Sequence, residues 1–188
     1  ESRNFIWANR LAGSTSFGQN KLIYYMGGVD NWILAGFDNE TPIDYNQNYM
    51  FQTLATNMRG FRQNIRNGNS FVVLNSELRF PLFSYLLDRP INMQFIKNFQ
   101  VVAFGDVGTA WTGWNPYDLS NSLYTSHYQD GNLNISVTKQ KEPIVGGVGF
   151  GLRTTVFGYF VRGDVAWGIE DGKIIKKPQY YLSFNLDF

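Results

Sequence analysis

The stretch Ser70–Phe83, SFVVLNSELRFPLF, has the most regular pattern of the chain and decides its fold class. Apolar residues occupy its even-numbered positions: Val72, Leu74, Leu78, Phe80 and Leu82. The odd-numbered positions include Asn75, Glu77 and Arg79. Because successive side chains of a strand point to opposite faces, this alternation predicts a strand with one apolar and one polar face. Pro81 lies near its end, where a missing backbone donor is tolerated.

Five further stretches show the same alternation and extend the prediction to the rest of the chain. They are Asn4–Phe17, Asn98–Trp111, Ile144–Phe157, Tyr159–Trp167 and Gln179–Phe188. Aromatic residues make up 17% of the chain, and their side chains favour a pleated sheet over a helix. The sequence therefore predicts an all-β chain of about six antiparallel strands.

Two long connections separate these strands. Residues 18–69 far exceed the usual few-residue loop, so we expect them to be functional or to contain short elements of their own. Residues 112–143 are polar and rich in turn residues, which predicts an exposed loop. That loop contains the single histidine, His127, which has no partner His or Cys at a metal-binding spacing. We therefore predict no metal and no cofactor. The connection through Asp88–Pro90 and the turn at Phe157-Gly158 are predicted to be short.

The composition excludes several classes of protein and leaves membrane insertion open. The chain has no Cys, which excludes disulfides and thiolate metal sites, and no run of about eighteen apolar residues, which excludes a transmembrane helix. Alternating strands can still span a membrane as a barrel, since every second side chain faces lipid. The long strands, the aromatic residues near strand ends and the alternation of short with long connections favour such a barrel. The net charge of +1 without charged blocks gives no indication of nucleic acid binding.

Five motifs, in their order along the chain, resemble the outer membrane protein 85 superfamily, the BamA-like bacterial surface antigen barrel domain. They are Gly27-Gly28 before Arg59-Gly60-Phe61, the run Glu77–Leu82, the pattern Phe104-x-Asp106-x-Gly108, the triplet Gly151-Leu152-Arg153, and the alternating aromatic-ended stretch Tyr180–Phe188. The resemblance covers nearly the whole chain. The distance from Gly27-Gly28 to Arg59 is longer than in the family pattern, which indicates an insertion in this loop.

The resemblance implies a fold and a site. Residues 1–188 would be the C-terminal segment of an antiparallel transmembrane β-barrel, the last six of roughly sixteen strands. The chain begins at Glu1 without Met or a signal peptide, so we expect a segment of a longer protein. Residues 18–69 would be an extracellular loop that carries Arg59, Gly60 and Phe61 into the barrel. The alternation places Glu77 and Asp106 on neighbouring strands facing the lumen, where Arg59 would dock on both.

The resemblance also implies a function without catalysis. The protein would insert or secrete other proteins through a lateral seam of a bacterial outer-membrane barrel. The seam would involve an insertion signal at the end of the chain: Tyr180, Leu182, Phe184, Leu186 and Phe188. Expected partners are outer-membrane lipids, an upstream or separate chain that completes the barrel, outer-membrane protein clients, and periplasmic or lipoprotein subunits.

Two alternatives remain open from the residues. The barrel could serve as membrane anchor or pore for an upstream enzyme or binding domain. The chain could instead be a soluble lipocalin-like binding barrel, in which the face of Val72, Leu74 and Leu78 would be an interior core. An acid/base pair of Glu77 and Asp106 is less favoured, because a neighbouring arginine keeps both carboxylates ionised and suits docking better than proton transfer.

Overall fold

The computed structural model describes residues 5–44, 47–86, 94–119, 121–130, 133–138 and 141–186. The strands are β1 (Ile6–Thr15), β2 (Lys21–Met26), β3 (Tyr49–Leu54), β4 (Arg66–Gly68), β5 (Ser70–Phe80), β6 (Gln100–Trp111), β7 (Thr125–Asp130), β8 (Leu133–Thr138), β9 (Val145–Val156), β10 (Tyr159–Glu170), β11 (Lys173–Ile174) and β12 (Gln179–Leu186). The helices are α1 (Leu82–Leu86) and α2 (Gln94–Lys97). The predicted all-β class is confirmed.

The six predicted strands form one antiparallel sheet. Its order is β1-β5-β6-β9-β10-β11, and β12 pairs with β10 to make seven strands. β5 ends at Phe80, directly before Pro81, as expected for a residue without a backbone N–H. The β9–β10 turn at Phe157 and Gly158 has positive φ at both residues, 51° and 81°, which a two-residue hairpin of type I′ requires. Within the described residues the sheet does not close, since β1 pairs with β5 and β12 pairs with β10.

The apolar face of the sheet points away from the core. On β5, Val72, Leu74 and Leu78 are 38%, 47% and 41% exposed. Val73 and Asn75, which point the other way, are buried. We call the side of Val72, Leu74 and Leu78 the outer face and the side of Val73, Asn75 and Glu77 the inner face. The sheet therefore exposes its apolar residues and buries a mixture of polar and apolar ones.

The long connection between β1 and β5 folds onto the inner face. In it β2 pairs in parallel with β3 and antiparallel with β4, so the expectation of short elements inside this connection is confirmed. Its apolar side chains meet those of the sheet in two clusters. The first cluster is Tyr24, Met26, Met58, Phe61, Ile65, Phe71, Val73, Ala110 and Val145, and the second is Val29, Val102, Phe104, Ala166 and Tyr181. The core thus lies between the sheet and this connection.

The second long connection differs from the prediction of an exposed loop. β7 and β8 form a hairpin within it, and Asn121–Tyr124 are buried. The prediction is wrong for these four residues, because Ser122 Oγ donates a hydrogen bond to the Pro42 carbonyl (3.4 Å) and the stretch packs against the first connection. The backbone of His127 lies in β7, and its side chain lies outside what the structure describes.

The connection between β5 and β6 contains α1 and α2, which the alternation did not predict. A short apolar run such as Leu82–Leu86 suits a helix as well as a strand, so its pattern alone does not distinguish them. The predicted short connection at Asp88–Pro90 lies outside the described residues.

Candidate functional site: a docked loop segment

The segment Asn57–Phe61 lies deepest on the inner face, and we call it the docked segment. Met58 and Phe61 are 0% and 3% exposed and belong to the first apolar cluster. The backbone N–H of Met58 donates to the carbonyl oxygen of Gly28 (2.9 Å), which joins the segment to the glycine pair that precedes it in the chain. The docked segment is therefore held from both sides, by the sheet and by its own connection.

Arg59 binds Asp106 through a bidentate ion pair. Nε donates to Asp106 Oδ2 and Nη2 donates to Asp106 Oδ1, each at 2.7 Å. The backbone N–H of Arg59 also donates to Oδ2 (3.1 Å). Both side chains are almost fully buried, at 2% and 0% exposure. A planar guanidinium matches a carboxylate in this geometry, whereas a lysine ammonium could not.

Glu77 is the second carboxylate on Arg59 and also binds two sheet arginines. Arg59 Nη1 donates to Glu77 Oε1 (2.7 Å). Arg153 on β9 donates from Nη2 to Oε1 (2.6 Å) and from Nη1 to Oε2 (2.8 Å). Arg79 donates to Oε2 from Nε (3.0 Å) and Nη2 (2.9 Å). One carboxylate thus accepts hydrogen bonds from three guanidinium groups.

The strand register explains why these groups meet. Asn75 lies opposite Asp106, and Glu77 lies opposite Phe104, so both carboxylates belong to adjacent rows of the inner face. The guanidinium carbon of Arg59 lies 3.6 Å from the centre of the Phe104 ring, a cation–π contact. Asn75 Nδ2 donates to Asp106 Oδ1 (2.8 Å) and to the Asn57 carbonyl (2.9 Å). Each guanidinium nitrogen of Arg59 therefore donates to a carboxylate on one of two neighbouring strands, β5 and β6.

Small residues make room for the docked backbone. A Cβ at Gly147 would overlap the carbonyl oxygen of Arg59. Gly60 has φ = 97°, a conformation that favours glycine, and a Cβ there would lie 2.7 Å from the backbone nitrogen of Gly168. Phe61 packs against Gly168 in turn. Substitution of these glycines would push the docked segment off the sheet.

Tyr181 on β12 also clamps the docked segment, through hydrogen bonds to its backbone. Its hydroxyl accepts a hydrogen bond from the backbone N–H of Gly60 (2.8 Å) and donates one to the carbonyl oxygen of Phe61 (2.7 Å). Tyr181 is 3% exposed. The last strand is thereby connected directly to the same turn that Arg59 anchors.

The charges of the site favour an ionised Arg59. Burial by itself lowers the pKa of Arg59, but the hydrogen bond and charge of Asp106 and the charges of Glu77 and Asp164 outweigh burial, so the pKa is raised above its ordinary value. Asp164 is the more distant of the three carboxylates, 3.9 Å from Arg59 Nη1 and 3.4 Å from Arg162 Nε. A cavity of about 280 Å³ borders the network on the β1 side.

The structure brings together all five residues that the sequence analysis assigned to loop docking. Arg59 contacts Glu77 and Asp106, while Gly60 and Phe61 lie against β10 and β12. Of the insertion signal, Tyr180, Leu182 and Phe184 lie on the outer face at 68%, 47% and 45% exposure. The side chain of Leu186 and the whole of Phe188 lie outside the described residues.

Several contributors to the site did not emerge from the sequence as partners of the docked segment or of Glu77. They include Arg79, Phe104, Arg153, Asp164 and Tyr181. The alternation does place Arg153 on the same face as Gly147, so its burial could be anticipated. Its contact with Glu77 depends on the curvature and register of three strands, which the alternation does not define.

Comparisons of the chain with protein-family models, with curated proteins and with solved structures found no match. Among the described residues, the helices are too short and too polar to cross a bilayer. In the same part of the chain, no three His, Cys, Asp or Glu side chains are arranged to hold a metal ion.

Proposed function

We propose that this chain is part of an outer-membrane β-barrel of the BamA-like type, which inserts or translocates other proteins through a lateral seam. The observation that carries the proposal is the burial of Arg59 against Asp106 and Glu77 on the inner face. In that arrangement a loop from one end of the strands is anchored inside the barrel. The motif order that resembles the outer membrane protein 85 superfamily involves the same three residues.

The outer face supports the membrane part of the proposal. Trp7, Leu11, Phe150 and Tyr180 are 67%, 74%, 63% and 68% exposed and come from three strands of the main sheet, β1, β9 and β12. An apolar surface of this extent on a sheet is unfavourable in water and suits contact with lipid. It also weighs against the soluble lipocalin-like reading, in which this face would be the interior.

The outermost long strands of the sheet, β1 and β12, support completion by further strands, because within the described residues neither has a full strand on its second side. β1 pairs on one side with β5, and β12 pairs on one side with β10. Unpaired backbone groups in lipid each cost several kcal/mol, roughly, so an open sheet is not a stable form in a bilayer. Strands from more of this chain or from another chain would close the barrel.

The docked segment would then stabilise the barrel from inside and support the seam at β12. An incoming client strand would pair with the opened edge of β12 through backbone hydrogen bonds, which is how extended segments add to a sheet. Outer-membrane protein clients, with periplasmic or lipoprotein subunits, are the partners that this role requires. No catalytic group enters the mechanism.

Charge reversal tests the proposal in the full-length protein in outer membranes. Arg59→Glu removes the cation and places a third negative charge beside Glu77 and Asp106. We therefore expect the free energy of unfolding to fall by about 3–5 kcal/mol and the heat-modifiable folded form to be lost. Adding Asp106→Arg or Glu77→Arg to that variant restores an opposite charge, and we expect partial recovery of folding and of client assembly. Arg62→Glu, an exposed arginine three residues away, is the matched control and should be silent.

Two results would redirect the proposal. If Arg59→Glu leaves folding and envelope integrity unchanged, the docked segment has no role in the barrel. If folding is lost in Arg59→Glu and partly recovered in the double variants as expected, but the parent protein assembles no client, the barrel serves as an anchor or pore for an upstream domain.

A further inference from the structure

The connection between β1 and β5 also contacts the free edge of β12, the edge that faces away from β10. Trp32 and Ser183 form an isolated antiparallel bridge. The backbone N–H of Ile33 donates to the carbonyl oxygen of Leu182 (3.1 Å), and the side-chain amide of Asn31 donates to that of Asn185. We call Asn31–Ile33 the edge segment. It adds a short strand-like pairing in the middle of β12.

The edge segment is anchored by packing as well as by hydrogen bonds. The Trp32 ring lies 4.7 Å, centroid to centroid, from the ring of Tyr181. Val29, just before the segment, is 3% exposed and belongs to the same apolar cluster as Tyr181. Ile33, in contrast, is 52% exposed. The contact is therefore fixed at one side and open to a competitor at the other.

The edge segment is linked to the docked segment. The backbone N–H of Asp30 donates to Asn57 Oδ1 (2.7 Å), and the carbonyl oxygen of Gly28 accepts from Met58 (2.9 Å). Tyr181 contacts Trp32 with its ring and the backbone of Gly60 with its hydroxyl. A displacement of either segment therefore changes contacts of the other.

We infer that the edge segment is a displaceable occupant of the strand-docking edge of β12, and that the partner it excludes is an extended β-strand. This inference rests on the proposed function, which assigns strand docking to that edge. Each backbone group on a strand edge pairs with one neighbour at a time, so the edge segment and an incoming strand compete for Leu182 and Ser183. The edge segment pairs with a few residues, whereas a strand could pair along all of Gln179–Leu186.

A reversible disulfide tests the competition in the full-length protein. The chain has no Cys, so Asn31→Cys with Asn185→Cys introduces a single pair at side chains that are in hydrogen-bond contact. The probe is a synthetic peptide of residues 179–188 with a photoreactive group at its N-terminus. We expect the closed disulfide to lower crosslinking of the peptide to β12 at least tenfold, and reductant to restore it. A peptide of the same composition in scrambled order is the reference, and its crosslinking should not depend on the disulfide.

A second variant releases the edge segment without a crosslink. Trp32→Ala removes the contact with Tyr181, and we expect peptide crosslinking at β12 to rise several-fold. Trp114→Ala, at a 94% exposed tryptophan outside both segments, is the matched control. Equal crosslinking with the disulfide open and closed would overturn the inference. If the disulfide does not form, an unchanged signal in Trp32→Ala would overturn it.

Client assembly distinguishes this inference from the proposed function. Assembly that continues with the disulfide closed would overturn the inference and leave the proposed function standing. Absence of assembly in the parent protein would remove the proposed function, and the peptide crosslinking would still decide whether β12 is a capped docking edge.

Discussion

The outer face of the main sheet exposes apolar side chains and the inner face buries charged ones, which is the reverse of a sheet in water. On the outer face, Leu11 and Phe150 are 74% and 63% exposed. On the inner face, Arg59 and Asp106 are each 1% exposed. A water-soluble antiparallel sheet buries its apolar face and leaves its polar face to solvent. The difference teaches that this sheet presents apolar side chains to its surroundings and packs a charged, polar network against the connection between β1 and β5.

The inner face also shows what a buried charge network provides. Removing ions from water is costly, and a buried pair often contributes little net stability compared with apolar residues of the same volume. Breaking such a pair is strongly destabilising, because the remaining charge stays buried without a partner. The contacts of Arg59 with Asp106 and Glu77 therefore specify one position of the docked segment, which a purely apolar contact would define less strictly.

Of the changes that compare the two faces, a charge on the outer face should lower stability most. We expect Leu74→Arg, at the middle of β5, to destabilise the folded protein by about 2–4 kcal/mol in a bilayer, because the guanidinium would face lipid. In water the same change at a residue 47% exposed would be nearly neutral. The measurement is urea unfolding of the full-length protein in phospholipid vesicles.

Ile174→Arg provides the control for that experiment. Ile174 is 62% exposed in β11, beyond the long strands of the sheet. We expect an effect within about 0.5 kcal/mol there. Equal effects at positions 74 and 174 would show that the outer face does not contact lipid.

Two neighbouring glycines of β9 compare the faces at a single point. A Cβ at Gly147 on the inner face would overlap the Arg59 carbonyl oxygen, whereas at Gly146 on the outer face the nearest atom would lie 3.6 Å away. We expect Gly147→Ala to cost about 1–3 kcal/mol by displacing the docked segment. Gly146→Ala should be neutral or slightly stabilising, since alanine restricts the unfolded chain.

Protease accessibility of the docked segment gives a readout beyond stability. Gly147→Ala should expose the peptide bond after Arg59 to trypsin, and Gly146→Ala should not. Protection of that bond in both variants would mean that the docked segment tolerates the added methyl group.

Much of this arrangement could be predicted from the alternation. In Ser70–Phe80, Glu77 falls on the face opposite the apolar side chains, and in β6 Asp106 does the same. The alternation therefore predicted that both carboxylates lie on the inner face. Two short-range patterns on neighbouring strands were sufficient, because an antiparallel register brings same-face residues into adjacent rows. The choice of Arg59 as the common partner of both carboxylates came from the resemblance of Arg59-Gly60-Phe61 to the family motif, and a planar guanidinium is suited to that role.

The rest of the site depends on contacts between residues far apart in the chain, which the local alternation of apolar and polar residues does not predict. β12 has tyrosine at both 180 and 181, and the pattern did not indicate that the second hydroxyl would meet Gly60 and Phe61. The bridge from Trp32 to Ser183 joins residues far apart in the chain through an irregular segment. The buried stretch Asn121–Tyr124 looks polar in sequence and is covered by the first connection.

The smallest expected effect is at β12, where Tyr181 lies on the inner face and Tyr180 on the outer face. Tyr181→Phe keeps the ring against Trp32 and removes the hydroxyl that joins the Gly60 N–H and the Phe61 carbonyl. Two buried backbone groups lose a partner, so we expect a cost of about 1–2 kcal/mol in vesicle unfolding. Tyr180→Phe, on the outer face of the same strand, should change stability by less than about 0.5 kcal/mol. If the two substitutions have equal effects, the hydrogen bonds of the Tyr181 hydroxyl contribute nothing to holding the docked segment on β12.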